Sequence, residues 1–107
     1  MSARAIVAGA LFKAPASKVS KAGKSYVLAT IREGRGDAAR WWKAFVFGDD
    51  AMAQVLRLSD GDPLAVAGEF DCHTYEADGG EVRLSWSIMV DAVLSARKQT
   101  RAEGGRG

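Results

Sequence analysis

Trp41-Trp42-Lys43-Ala44-Phe45-Val46-Phe47-Gly48 has the residue types of a β-strand. In an extended chain, alternate side chains leave on opposite faces. One face then carries Trp41, Lys43, Phe45 and Phe47, and the other carries Trp42, Ala44 and Val46. Only one of the two needs to be core. Rings interleaved with a cation form a surface on which bases stack while phosphates meet the charge. A second reading buries both faces, one in the core and one against a partner subunit.

Downstream, Gly48-Asp49-Asp50 opens a short helix. Asp49 is the expected N-cap, and both acids suit the positive helix end. Ala51, Met52, Val55, Leu56 and Leu58 recur at helical spacing and form one apolar face, fit to plug a barrel end. Ser59-Asp60-Gly61-Asp62-Pro63 stops the helix. Residues 64–75 read as a fourth strand, with Leu64, Val66, Gly68, Phe70 and Cys72 inward and Ala65, Ala67, Glu69, Asp71, His73 and Tyr75 outward. Residues 76–81 form a hairpin loop. Residues 82–95 form a fifth strand, with Val82, Leu84, Trp86, Ile88 and Val90 on one face and Arg83, Ser85, Ser87, Met89 and Asp91 on the other. This pattern places Trp86 in the core and Trp42 in the core or at an interface.

Upstream, residues 25–32 are rich in β-branched and aromatic residues and read as the second strand. Residues 33–40 join it to the third as a flexible loop. Residues 4–13 read as the first strand, in which Val7, Gly9 and Leu11 alternate with Ile6, Ala8, Ala10 and Phe12. Gly9 marks a bulge or bend where a small barrel turns a corner. Pro15 breaks the run, and residues 16–24 form a basic loop in which Lys18, Lys21 and Lys24 recur every third residue. Such a loop is either simply solvated or a phosphate contact.

Three strands, a helix and two strands is the order of an OB-fold, an all-β, five-stranded barrel with one short helix between strands 3 and 4. The 107 residues form one domain, expected over residues 1–95, with 96–107 a disordered basic, Gly-rich tail. Composition is ordinary globular, 48% apolar and 26% charged. A single cysteine, Cys72, excludes an internal disulfide framework and suits a reducing cytoplasm. No stretch approaches the roughly 20 apolar residues of a membrane span. The net charge of +2 conceals a polarity. Residues 1–48 hold nine Lys and Arg against two acids, residues 49–95 two against ten, and residues 96–107 four against one. The basic part is suited to an anion such as nucleic acid, or to the acidic part of a second copy.

Several motifs are rejected. Gly23-Lys24-Ser25 ends a stretch that lacks the first glycine of a P-loop and precedes a strand, not a helix. Arg35-Gly36-Asp37 is a three-residue coincidence with a cell-adhesion tripeptide. His73 has no second histidine or cysteine pattern, so no metal or cofactor is expected. Cys72 and His73 leave a strand on opposite faces, so they are not a nucleophile–base pair. No catalytic constellation emerges, and no enzyme is expected.

From Ile6 to Val93 the chain resembles bacterial single-stranded DNA-binding proteins. The resemblance rests on Gly9-x-Leu11-x3-Pro15, on Lys18, on Leu28-Ala29-Thr30 and on Trp41-x5-Phe47-Gly48. It continues through Leu58-x2-Gly61-Asp62, Val66-x-Gly68, Tyr75, and Asp78-Gly79 with Arg83. It implies base stacking on Trp41, Phe47 and Tyr75, which Phe45 joins by sharing the strand face. Candidate phosphate contacts are Lys13, Lys18, Lys21, Lys24, Arg32, Arg35, Arg40, Lys43 and Arg83. It also implies a cytoplasmic, nucleoid-associated homo-oligomer, dimer or tetramer, serving replication, recombination or repair without a cofactor.

Three departures qualify that expectation. Glu69 and Asp71 stand in an outward row that the family tends to make basic, which predicts modest affinity there. Gly34-Arg35-Gly36 stands where the family often has a further Trp. The last twelve residues are basic instead of ending in the family's acidic tip, so no tip-mediated recruitment of repair or replication proteins is expected. Lys18-Val19-Ser20-x2-Gly23 and Gly68-x3-Cys72-His73 are similar to primosomal replication protein B, a relative that also lacks the tip. The alternative function is therefore an adaptor in replication restart.

Overall fold

A computed structural model describes residues 3–34 and 36–97 of the chain. Five strands close into a barrel: β1 (Ala3–Val19), β2 (Ser25–Glu33), β3 (Arg40–Val46), β4 (Pro63–Glu76) and β5 (Val82–Ala96). The order around the barrel is β1-β2-β3-β5-β4, with β4 returning to β1. All pairings are antiparallel except β3 with β5. The helix α1 (Asp49–Leu56) lies between β3 and β4 and packs against β1, β2 and β5. This is the expected OB-fold. Among the described residues no helix is long and apolar enough to cross a membrane.

The strand alternation read from sequence sets the core. Val7, Leu11, Val27, Ala29, Ile31, Trp42, Ala44, Val46, Val55, Leu64, Val66, Ile88 and Val90 are all buried and form one cluster. Gly9 and Gly68 are required by close approach. A Cβ on Gly9 would lie 2.2 Å from the Arg32 carbonyl oxygen, and one on Gly68 would lie 2.0 Å from that of Met89. Neither backbone oxygen can move aside. Gly9 sits where β1 passes from β4 to β2, whose pairings overlap at Ala10, so it does mark a barrel corner.

Four local expectations change. Pro15 interrupts β1 without ending it: the register shifts between Phe12 and Ala16, and the ladder resumes through Val19. A proline has no N–H to donate, and a bulge is where none is needed. Lys13 adopts φ 65° there, and its amide donates to Asp60 Oδ1 at 2.6 Å. Lys18 therefore stands on a strand, and only residues 20–24 form the turn. The helix N-cap is Gly48, at φ 94°, with no side-chain cap. The left-handed turn out of β3 excludes a side chain at that position, which moves Asp49 into the first helical turn. Leu56 is 44% exposed, whereas Val55 and Leu58 are buried.

The fourth change lies in the hairpin. Val82 and Leu84 share the inward row but are 66% and 55% exposed. β3 pairs with β5 only from Trp42 and Trp86 onward, so residues 82–85 have β4 alone beside them and project past the barrel. β5 runs to Ala96, and Arg97 N–H donates to the Pro63 carbonyl at 3.1 Å. The rest of the expected tail, residues 98–107, lies outside the described residues.

Arg4 on β1 reaches Asp91 on β5 in a two-pronged ion pair, at 2.8 and 3.0 Å. The hydrogen bond from Arg4 holds the Asp91 carboxyl below its ordinary range. A depressed acid stabilises the fold above its unfolded-state pKa, and that contribution disappears as pH falls through the folded value. The melting temperature of Asp91→Asn is therefore expected to lie below wild type at neutral pH and to converge with it on acidification. Thermal melts across pH 7 to pH 2.5 check this, and a constant offset would refute it.

Candidate nucleic-acid interface

Because β3 is central, its outward row lies between β2 and β5. Arg32 on β2 pairs with Trp41, and Thr30 with Lys43. On the other side Ser87 of β5 pairs with Lys43, and Met89 with Phe45. Beyond β5, Ser85 pairs with His73 and Arg83 with Tyr75. The outward row read from the sequence thus becomes part of a surface that crosses four strands.

Trp41 is 45% exposed and takes the ring of Phe12 edge-on, with centroids 4.8 Å apart. Phe12 is 40% exposed, and Lys13 Nζ lies 5.3 Å from its centroid. A groove of about 880 Å³ runs from Trp41 and Lys43 to Tyr75 and Arg83 and also takes in Arg40, His73 and Trp86. Cations and rings therefore line one open channel, as base stacking with phosphate contact requires. Arg83 Nη2 donates to Glu81 Oε1 at 3.0 Å, and His73 Nδ1 lies 3.5 Å from Asp71. Asp71 thus has a partner within the same strand, whereas Glu69 lies farther along β4, opposite Arg4 and Met89.

Phe45 and Phe47 do not line this groove. They are half-buried and flank Tyr26 at centroid distances of 6.0 and 5.7 Å. Lys24 Nζ lies 5.3 Å from the Phe47 centroid, and Lys18 is in register with Tyr26. Lys21 is exposed in the adjacent turn. The expected site therefore separates into two aromatic–cationic clusters on one barrel face. Arg35 lies outside the described residues.

Trp42 is buried as expected, and its Nε1–H donates to Glu33 Oε1 at 2.9 Å. A buried indole needs such a partner. Trp86 is less enclosed than its strand pattern implies. It is half-buried, stacked on Phe70 at 5.5 Å and 23°, and open to the groove. Phe12, Tyr26 and Trp86 are aromatic rings that sequence reasoning did not assign to the site, and His73 also lines the groove without having been assigned. Phe12 shares its strand's row with Ile6 and Ala8, which the structure leaves exposed; both rows are apolar, so the sequence held no signal for this. Nothing in the sequence shows that β3 leaves the Trp86 edge uncovered.

No protein-family model and no curated protein matches the sequence. Solved structures match in fold. The mitochondrial single-stranded DNA binding protein of S. cerevisiae, Rim1, has a TM-score of 0.70 at 14% identity, covering 92% of this chain and 97% of that one. A Plasmodium falciparum SSB in complex with single-stranded DNA has a TM-score of 0.60 at 12% identity, covering 82% and 85%. The chain is thus built on the same OB-fold barrel as these two single-stranded DNA-binding proteins, and shares few of their residues.

Proposed function

We propose that this chain is a non-enzymatic, sequence-tolerant single-stranded DNA-binding protein. Bases stack on Trp41 and Tyr75 in the groove and on Phe45 and Phe47 in the second cluster. Lys13, Lys18, Lys21, Lys24, Arg32, Arg35, Arg40, Lys43 and Arg83 supply the positive field for phosphates. The observation that carries the reading is the exposed Trp41 ring beside Lys43, in an open groove that also holds Tyr75 and Arg83. Service in replication, recombination or repair in the bacterial cytoplasm follows from the same reading. So does self-association: Ile6, Met89 and Leu94 are exposed on β1 and β5, where a second copy would cover them.

Titration with oligo-dT tests the reading. Tryptophan fluorescence is expected to quench at low salt and the affinity to fall steeply with added salt. The slope of log K against log salt should be about −0.7 per phosphate neutralised. Duplex DNA should compete poorly, because its bases are not free to stack. Unchanged fluorescence with no measurable binding at low salt would reject the proposal.

A further inference from the structure

Arg40 occupies an unusual position in the groove. Its Cζ lies 4.5 Å from the centroid of Trp86. Its Nη1 is 4.0 Å from Glu33 Oε1, the oxygen that also accepts the Trp42 indole N–H. Trp86 is in turn stacked on Phe70. Trp86 thus has Phe70 as one neighbour and the Arg40 guanidinium as another, and both Trp86 and Arg40 line the groove. The Arg40 side chain remains 51% exposed.

Resting on the DNA-binding reading above, we infer that Arg40 is a base-stacking plane, not chiefly a phosphate ligand. Three features support this. Glu33 offsets part of its charge, which weakens its pull on a phosphate. The indole at 4.5 Å and the carboxylate at 4.0 Å both attract the guanidinium to this position, so part of its rotamer freedom is spent before binding. A guanidinium is flat and weakly hydrated, and bases stack on it as they do on rings. The plane therefore adds a flat cation to the groove that Trp41 and Tyr75 also line. The ligand is the face of one unpaired nucleobase of any identity.

Arg40→Lys separates the two roles, because lysine keeps the charge and loses the plane. The variant is compared with wild type on oligo-dT and on an oligomer of the same length made of abasic deoxyribose phosphates. Weakening of oligo-dT binding by about fivefold or more is expected, the lower end of one lost base stack. The salt slope should stay unchanged, and binding of the abasic oligomer should equal that of wild type. Thermal melting of the variant should match wild type, since Arg40 is exposed. Wild-type affinity of Arg40→Lys for oligo-dT would overturn the inference, as would an equal loss on the abasic oligomer or a large fall in melting temperature. If wild type binds oligo-dT and Trp41→Ala does not, a silent Arg40→Lys removes this inference alone. If wild type binds neither probe, the DNA-binding reading fails and takes this inference with it.

Discussion

Trp41→Ala is expected to weaken binding to oligo-dT by about 5- to 150-fold, the 1–3 kcal/mol that one stacked base contributes. The fold should barely change. Trp41 is 45% exposed, and among the described residues its ring neighbour is Phe12, edge-on at 4.8 Å. Such a pair contributes about 0.5–1.5 kcal/mol beyond its buried area, well below the cost of truncating a fully buried Trp. Fluorescence anisotropy with a labelled oligomer measures the first and thermal melting the second. The salt slope should be preserved, because no phosphate contact is removed. A variant that binds as tightly as wild type would place the stacking elsewhere, on the Tyr26–Phe45–Phe47 cluster first of all.

The neighbouring substitution, Trp42→Ala, should have the opposite profile. Trp42 is 5% exposed, touches Phe70 and Trp86 at ring-centroid distances of 5.5 Å, and donates to Glu33. Truncating a buried Trp costs about 3–5 kcal/mol. A domain of this size has about 5–15 kcal/mol in total. The melting temperature should therefore fall by roughly 15 °C or more. Loss of the ring also takes the indole donor from Glu33, leaving it, among the described residues, only Arg40 at 4.0 Å, and removes packing against Trp86, so the groove should loosen with the core. Calorimetry measures the effect, and a fall of only a few degrees would mean that the barrel end can close without this ring.

These two adjacent residues show how much was legible in the sequence. A strand's period of two puts Trp41 and Trp42 on opposite faces, and the structure decides that the Trp41 face is the exposed one. The five strands, the helix between the third and fourth, the corner at Gly9 and the core rows were read in the same way. Each depends on alternation or spacing within a single element, which local geometry enforces. The N-cap was misread because the left-handed turn at Gly48 depends on how β3 meets the helix. The break at Pro15 was misread because β2 continues to pair on both sides of the bulge.

By itself, the amino-acid sequence determined that the chain is an OB barrel and that β3 presents rings and a cation on one face. The order of elements along the chain suffices for the first, and alternation within one strand for the second. Only the tertiary structure decided which rings meet. It separated Phe45 and Phe47 from the Trp41 groove, brought Phe12 and Tyr75 near Trp41 or into its groove, and left Trp86 half-open beneath Arg40. Those relations cross strands that are distant in sequence. Their register is set by barrel closure and by the length of each strand's overlap, and no pattern within one strand encodes either.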